Sequence, residues 1–316
     1  MKRWDEKPYY SLNYYLKHTF HKKIYRVALD AGMTCPNRDG TVGTGGCIFC
    51  SAGGSGEFAG DRNRSITEQI DQGIIGLTKF HAQGFIAYFQ AFTNTYAPVE
   101  YLRSVFFEAA NHPLVVAISI ATRPDCLPDE TVELLRQLNR KKPVWVELGL
   151  QTIHEKTARY IRRGYPLTCF EDGVIRLREA GIPVIVHTIL GLPGESREDI
   201  LAKVKYLNGQ DIQGVKLQLL HVLEGTDLAE DYKNGLFSVL TCQEYVDLVA
   251  DCIANLSDRI VIHRLTGDGP QKLLLAPLWS TSKMQVLNQI HHKLKESGIW
   301  QGKALETSRL QCASPR

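Results

Sequence analysis

Three cysteines lie close together in a stretch of the chain that is otherwise typical of turns. Cys35, Cys47 and Cys50 have the spacing C-x11-C-x2-C, and several glycines lie between them. Glycine allows tight turns and close approach of the backbone, so three thiolates on such a loop can surround a metal centre. A structural zinc ion takes four ligands, whereas three cysteines suit a [4Fe–4S] cluster with one iron left open. The spacing favours the cluster, and zinc with His18 or His21 as fourth ligand is the alternative.

The other five cysteines are scattered along the chain: Cys126, Cys169, Cys242, Cys252 and Cys312. Isolated thiols of this kind are typical of a reducing compartment, where they are buried or incidental. We therefore expect no disulfide framework.

The composition is that of an ordinary globular protein, with 316 residues of which 44% are hydrophobic and 22% charged. No run of about 18 apolar residues indicates a transmembrane helix, and the polar N-terminus lacks the apolar centre of a signal peptide. We expect a cytoplasmic protein without membrane association. The formal net charge of +3 is too small to indicate nucleic-acid binding. The first 24 residues are more basic and aromatic, which suits either a phosphate-binding surface or a solvated amphipathic lead-in.

Strand-like and helix-like patterns alternate along most of the chain. Six short apolar runs predict buried parallel strands: Tyr25–Asp30, Phe85–Ala91, Val115–Ala121, Val144–Leu150, Pro183–Ile189 and Gly214–Leu220. After the second, successive strands begin roughly 30 to 40 residues apart, the size of one βα unit. Six units predict an α/β fold, a partial (β/α)6 TIM-like barrel open on one side. An eight-fold barrel is the alternative, but the units are too few for it.

The chain divides into three predicted parts. Residues 1–24 form the lead-in, residues 25–258 the partial barrel, and residues 259–316 a C-terminal extension that closes or flanks the barrel. In such a barrel the carboxyl ends of the strands carry the chemistry. The three clustered cysteines follow the first predicted strand directly, which agrees with that rule.

Longer motifs around these positions resemble known families: Cys35–Gly40, Gly45–Cys50, Phe89–Thr95, Ala121–Cys126, Glu147–Gln151, His187–Gly194 and His263–Gly269. The chain resembles the radical S-adenosylmethionine (SAM) superfamily, whose members use a [4Fe–4S] cluster and SAM. The usual cysteine spacing there is C-x3-C-x2-C. The expanded first interval resembles that of the Elongator catalytic subunit, in the branch that includes the coproporphyrinogen dehydrogenases. The motifs resemble the YhcC/YtqA family most closely, from Tyr25 to Gly302.

The resemblance implies that SAM lies against the ends of the predicted strands. The positions that match SAM-binding residues are Gln90, Thr93, Asn94, Thr122, Gln151, Arg163, His187 and Gly191. Thr93 and Asn94 take the place of the family's glycine-rich motif at the SAM ammonium. A polar N-cap before a helix at Val99 is the alternative interpretation of this stretch.

Arg163 matches the arginine that pairs with the SAM carboxylate in the coproporphyrinogen dehydrogenase branch, and a guanidinium fork suits a carboxylate. A surface arginine is the alternative. The resemblance assigns Gln151 to a ribose hydroxyl and Gly191 to the stretch beside adenine. His187 and Ala121 depart from the branch, which has an aspartate and a glutamate at these positions. A histidine whose hydrogen bonds are satisfied in the core is the alternative for His187.

A second set of polar residues follows the sixth predicted strand. Lys216, Gln218 and His221 alternate in the sequence and are expected on one face of the strand. With Arg264 and Asp268 they are candidates for the wall of the substrate site, and structural ion pairs are the alternative. The catalytic residue itself is unknown, because no side chain is assigned to proton transfer.

The substrate is implied by resemblance alone. One branch of the family modifies the wobble uridine of tRNA, and the likeness implies conversion of the 5-carboxymethylaminomethyl group of 2-thiouridine to the aminomethyl form. A flavodoxin or ferredoxin-type protein would then supply the electron, and a methyltransferase acting on the product is a further expected partner. The alternatives are radical SAM chemistry on a small molecule, such as a tetrapyrrole precursor or metabolite, and a non-catalytic iron–sulfur or zinc protein associated with RNA.

Overall fold

The computed structural model describes residues 2–306, and they form two compact units. The first, here named the cysteine unit, comprises Leu16–Leu150 and Arg159–Val186. The second, named the C-terminal unit, comprises residues 2–15, 151–158 and 187–306. The last ten residues of the predicted C-terminal extension, which include Cys312, lie outside the described residues.

Seven strands form one sheet in the order β1-β2-β3-β4-β5-β6-β8, and β7 and β9 form a separate antiparallel pair. The strands are β1 (Ile24–Leu29), β2 (Gly84–Phe89), β3 (Val115–Thr122), β4 (Val144–Gln151), β5 (Val184–Leu190), β6 (Gly214–Leu219), β7 (Val222–Leu223), β8 (Val261–Arg264) and β9 (Leu274–Ala276). The pairs β1/β2, β2/β3, β3/β4 and β6/β8 are parallel. Parallel strands covered by helices are buried on both faces, which explains their continuous apolar sequences.

The α-helices lie mostly between these strands. They are α1 (Leu12–Phe20), α2 (Ile66–Leu77), α3 (Val99–Asn111), α4 (Asp129–Lys141), α5 (Glu155–Tyr160), α6 (Leu167–Glu179), α7 (Arg197–Asn208), α8 (Asp227–Lys233), α9 (Cys242–Asn255) and α10 (Lys283–Glu296). Helices α2, α7 and α9 begin at capping boxes, in which the N-cap hydroxyl and an acidic residue three positions later satisfy each other's backbone amides. Within residues 2–306, no helix combines the length and the apolar character that crossing a bilayer requires.

The six predicted strands are confirmed, and none of their ends differs from the prediction by more than two residues. The described sheet also contains β8, which pairs in parallel with β6 and so adds a seventh strand. The helix α1 within the basic lead-in was not predicted, because its apolar positions are mixed with aromatic and basic residues. The three-part division of the chain stays a prediction.

Each unit has its own apolar core. In the cysteine unit every residue of β2 is buried, and Phe89 packs edge-on against Phe106 of α3 with ring centroids 4.9 Å apart. In the C-terminal unit Tyr245 of α9 is fully buried, and its hydroxyl donates to the carbonyl of Leu265 at 2.7 Å. The first contact holds the end of β2 against α3, and the second holds the residue after β8 against α9.

Candidate cofactor site

The cysteine loop, residues 35–50, follows β1 and is folded by backbone turns. The amide of Arg38 donates to the Cys35 carbonyl at 2.8 Å, and the amide of Cys50 donates to the Cys47 carbonyl at 2.9 Å. Gly46 has a φ of +75°, and a Cβ atom there would lie 3.0 Å from the Arg38 side chain. The glycine is therefore favoured by the backbone conformation, and a side chain at this position would press on Arg38.

Two side chains of the loop bind its own cysteines. The amide nitrogen of Asn37 donates to Cys47 Sγ at 3.5 Å, and Nη2 of Arg38 donates to the Cys50 carbonyl at 2.9 Å. Arg38 also lies over the ring of Phe92, with its guanidinium carbon 5.5 Å from the centroid. The loop thus carries hydrogen-bond donors and positive charge beside its thiols.

The loop is anchored on the segment that follows α5. The amide of Ile48 donates to the Ile161 carbonyl at 3.2 Å, and Asn37 Nδ2 donates to the Arg162 carbonyl at 2.5 Å. Gly164, with a φ of +83°, passes so close to the loop that a Cβ atom would lie 3.1 Å from Asn37 Oδ1. Sequence reasoning missed this anchor. Gly164, which follows Arg162 and Arg163, was the only local sequence feature that could have indicated the anchor.

Burial keeps two thiols of the loop, those of Cys47 and Cys50, in the neutral form. It raises the pKa of Cys47 to about 12, with a further contribution from the charge of Cys50, and it also raises the pKa of Cys50. The charge of Cys35 acts on both, so the three thiols are neighbours. Across residues 2–306 no three His, Cys, Asp or Glu side chains are already arranged as metal ligands. Thiols bind metals as thiolates, so ligand geometry and proton loss develop together. The all-thiol donor set fits an iron–sulfur cluster.

The stretch after β2 is deeply buried. Asn94 is 0% exposed, and its Nδ2 donates to the carbonyls of Phe89 and Ala121 at 3.2 and 2.9 Å. Its Oδ1 is buried and accepts no hydrogen bond from the described residues. The N-cap of α3 is Pro98, without a side-chain cap, so the alternative interpretation of this stretch as a polar N-cap is wrong.

The other candidates near β2 and β3 make internal contacts. Gln90 Nε2 donates to the Ser55 carbonyl, and the hydroxyl of Thr122 is hydrogen-bonded to that of Thr95 at 2.5 Å. Thr93 is 2% exposed, and its amide donates to the Thr34 carbonyl at 3.2 Å. Gln90 and Thr93 therefore fix the strand end against neighbouring loops.

Arg163 is 1% exposed, so its interpretation as a surface residue is wrong. Its Nε donates to the Tyr165 carbonyl at 3.0 Å, and its Nη1 donates to the Leu150 carbonyl at 3.1 Å. Its guanidinium carbon lies 5.0 Å from the centroid of the Tyr165 ring. The residue next to it, Arg162, is part of the anchor of the cysteine loop. The structure thus brings Arg163, the end of β4 and the cysteine loop together.

In the C-terminal unit, two candidate residues have left-handed backbone. Gln151, the last residue of β4, has a φ of +58°, and Gly191, directly after β5, has a φ of +84°. His187 of β5 is hydrogen-bonded through Nδ1 to Nε2 of Gln218 at 3.2 Å. An amide nitrogen only donates, so Nδ1 of His187 accepts in this contact.

Of the five residues proposed for the substrate wall, Arg264 and Asp268 contact each other, whereas Gln218 and His221 are hydrogen-bonded to residues outside the set. Asp268 lies 3.7 Å from Nη2 of Arg264 and 2.7 Å from Nζ of Lys283, a partner that sequence reasoning missed. His221 is hydrogen-bonded through Nε2 to Ser280 Oγ at 3.1 Å, and burial lowers its pKa to about 4. Lys216 is 1% exposed. Ion pairs thus occupy Asp268 and Arg264, as the alternative interpretation expected.

The family models give a decisive match to this chain. The model of the radical SAM superfamily matches residues 38–207, and the model of the radical SAM C-terminal domain matches residues 212–296. The chain belongs to the radical SAM superfamily. Its cofactors are accordingly a [4Fe–4S] cluster and SAM, as predicted.

Individual relatives agree with this assignment. This radical SAM protein is 47% identical over 299 residues to protein YtqA of Bacillus subtilis, a match that covers 94% of this chain and 93% of the relative. The tRNA uridine(34) acetyltransferase of Dehalococcoides mccartyi is 28% identical over 194 residues, covering 60% of this chain and 41% of that protein. The archaeal Elp3 of Methanocaldococcus infernus, solved without residues 1–46, superposes with a TM-score of 0.68 at 18% identity, covering 89% of this chain and 64% of that one. This likeness confirms the predicted partial (β/α)6 TIM-like barrel of radical SAM type.

Proposed function

We propose that this radical SAM enzyme modifies the wobble uridine of tRNA, converting the 5-carboxymethylaminomethyl group of 2-thiouridine to the aminomethyl form. The name of the relative that acts on tRNA uridine 34 supports a tRNA substrate. The match spans 41% of that relative, and the step follows from the likeness to the family. When bound, the cluster and SAM supply a 5′-deoxyadenosyl radical by one-electron cleavage of the C5′–S bond.

The cysteine loop and its anchor are the observation that carries the cofactor assignment. Cys35, Cys47 and Cys50 would hold the cluster, and Asn37 already donates to one of these sulfurs. Arg163 adjoins the anchor and would orient the SAM carboxylate with its fork. A buried acceptor without a donor is costly, so Asn94 Oδ1 would accept from the SAM ammonium.

The C-terminal unit carries further residues that match SAM-binding positions of the family. Gln151 and His187 would bind the ribose hydroxyls, because each ends or lies in a strand that the family uses for this contact. Gly191 would face adenine, since its left-handed backbone turns the chain directly after β5. Gln90 and Thr122 would affect SAM binding indirectly, because their hydrogen bonds stabilise the ends of β2 and β3. The residues Lys216, Gln218, His221, Arg264 and Asp268 would form the substrate wall.

The basic lead-in would bind the phosphates of the RNA. Lys17 of α1, Lys22 and Lys23 are exposed and lie within ten residues of one another. Contacts of lysine with phosphate supply most of the affinity of such complexes and make it strongly dependent on salt. The wobble base would be flipped out of its stack, because a stacked base cannot reach a buried radical.

The proposal predicts a change in cellular tRNA. Mass spectrometry of nucleosides from a deletion strain should show the 5-carboxymethylaminomethyl form of the wobble uridine accumulating and the aminomethyl form decreasing. The purified, anaerobically reconstituted protein should form 5′-deoxyadenosine with dithionite, and a flavodoxin or ferredoxin-type protein should replace dithionite. An unaltered wobble-uridine profile would exclude this substrate and leave a small molecule as the leading candidate.

Binding to tRNA provides a second test with a matched control. Reversing the three charges in a Lys17→Glu, Lys22→Glu, Lys23→Glu variant should weaken tRNA binding by about tenfold or more at low salt. The rate of SAM cleavage without substrate should not change. A variant with three other exposed lysines reversed, at positions 156, 272 and 295, has the same net charge and serves as the control. Equal losses in both variants would show that the lead-in has no special role.

A further inference from the structure

A fully buried lysine connects the ends of two neighbouring strands in the C-terminal unit. Lys203 lies in α7 and is 0% exposed. Its Nζ donates to the Gln151 carbonyl at 3.1 Å, to the Ile189 carbonyl at 2.8 Å and to Glu195 Oε2 at 3.0 Å. An ammonium group has three donors, and all three are used here.

The charge of this lysine is balanced inside the protein. Glu195 is almost fully buried, forms an ion pair with Lys203 and accepts from the hydroxyl of Thr152. Thr152 Oγ1 in turn accepts from the amide of His154 at 3.0 Å. Burial lowers the pKa of Lys203, whereas the charge of Glu195 acts in the opposite direction. A buried pair adds little net stability compared with apolar residues of the same size, so stability alone does not explain it.

The backbone at Gln151 is in a conformation that an L-residue adopts at a cost. Its φ of +58° lies in the left-handed region, where the Cβ atom of an L-residue comes too close to the following carbonyl oxygen. Such a conformation persists when the surrounding contacts determine it, and this is common at functional sites. Lys203 holds the carbonyl of this same residue, so it helps to determine the direction in which the Gln151 side chain leaves β4.

The second carbonyl bound by Lys203 has a similar position in β5. Ile189 lies two residues before Gly191, where the chain turns with a φ of +84°. The same ammonium group therefore fixes the backbone at both strand ends. These ends carry Gln151, His187 and Gly191, which are the residues proposed above to bind the ribose and adenine of SAM.

We infer that Lys203 is a positioning residue for SAM. It would act on SAM through the backbone of the two strand ends that are proposed to bind it. This inference rests on the proposed SAM-binding role of Gln151, His187 and Gly191. A purely structural ion pair would change the melting temperature and leave the affinity of the folded enzyme for SAM unchanged.

The test compares SAM affinity with cluster content in the reconstituted enzyme. Lys203→Met removes the donors but leaves Glu195 buried without its partner, so the double variant Lys203→Met/Glu195→Gln removes the unpaired charge as well. In the double variant we expect SAM to bind about tenfold more weakly or worse by anaerobic calorimetry, with unchanged iron content. Formation of 5′-deoxyadenosine should recover at saturating SAM, because KM rises more than kcat falls. Lys293→Met, which removes an exposed ion pair with Asp247, should change neither quantity.

Two further results decide between the inference and the proposed function. A folded double variant with full iron content and a SAM affinity within about twofold of the wild type would overturn the role of Lys203. If neither methionine variant folds, Lys203→Arg serves instead, because it keeps the charge but cannot place one nitrogen against both carbonyls. Gln151→Gly permits the left-handed backbone and removes the side chain. Unchanged SAM affinity in that variant would count against the proposed ribose contact, whereas weakened affinity there with an unaffected Lys203 variant would reject this inference alone.

Discussion

The cysteine loop and the surroundings of His221 both keep titratable groups neutral by burial, but they differ in what surrounds those groups. Around the thiols, Asn37 donates to a sulfur and Arg38 supplies positive charge. Around His221, the positive charge of Arg264 is balanced by Asp268. The donors around the cysteines would stabilise a thiolate when it forms. The balanced charges around His221 would not stabilise an imidazolium. The cysteine loop is thus suited to thiolates, and the His221 region to an imidazole that is neutral at neutral pH.

The largest expected effect follows from replacing a cysteine of the loop. Cys35→Ala, Cys47→Ala and Cys50→Ala should each abolish the visible charge-transfer absorbance of the anaerobically reconstituted protein, because three thiolates are needed to hold the cluster. The absorbance spectrum and the content of iron and sulfide measure this loss. A protein purified anaerobically with stoichiometric zinc and no reconstitutable iron would contradict the assignment.

Two cysteines outside the loop provide matched controls for this experiment. Cys126 is buried near the end of β3, and Cys242 is the first residue of α9. Alanine at either position should leave the absorbance and the iron content intact. A loss of cluster in Cys126→Ala would show that the ligand set is wrong.

A smaller effect is expected from the arginine beside the anchor. Arg163→Lys keeps the positive charge but loses the fork, so SAM should bind more weakly by about 1.5–3 kcal/mol, or roughly 10- to 150-fold. Anaerobic calorimetry on protein with full iron content measures this. Arg159→Lys changes an exposed arginine of α5 and is the control. Equal SAM affinity in the Arg163 variant and the wild type would remove Arg163 from the site.

The parts of the fold that depend on local pattern could be predicted from the sequence. Continuous apolar runs identified β1 to β6, and the helix expected at Val99 is α3. Short elements that are stabilised by distant partners could not be predicted in this way. The strands β7 and β9 have two and three residues, and they exist because they pair with each other across about 50 residues of chain.

The site shows the same division between local and distant information. The cysteine spacing and the glycines of the loop are local, and they are sufficient to indicate the cluster. Two contacts join residues that are far apart in the sequence. The cysteine loop is anchored on Ile161 and Arg162, and Lys203 is hydrogen-bonded to the carbonyl of Gln151, so each contact spans more than 50 positions. Neither has a spacing signature. Arg163 is likewise buried by contacts with other elements, such as its hydrogen bond to the Leu150 carbonyl. Its neighbours in the sequence, Arg159 and Arg162, instead suggested a surface residue.

The smallest expected effect concerns the neutral imidazole of His221. Ser280 Oγ donates to the Pro277 carbonyl, so Nε2 of His221 carries the proton and donates to Ser280. Burial lowers the pKa of His221 to about 4 from the ordinary 6.5. The unfolded chain therefore binds more protons than the folded protein between these values, and stability falls as the pH is lowered from 6.5 toward 4. From pH 7.5 to pH 5 this group should cost about 2 kcal/mol of unfolding free energy.

His221→Gln should remove this dependence, because glutamine can still donate to Ser280 and has no proton to gain. Urea unfolding of the wild type and the variant at pH 7.5 and pH 5 measures the difference in slope. The cluster and every other titrating group are common to both proteins, so the difference isolates His221. Parallel pH profiles would mean that the folded protein admits the charged imidazole. The contrast with Cys47 and Cys50, whose pKa values burial raises, would then be lost.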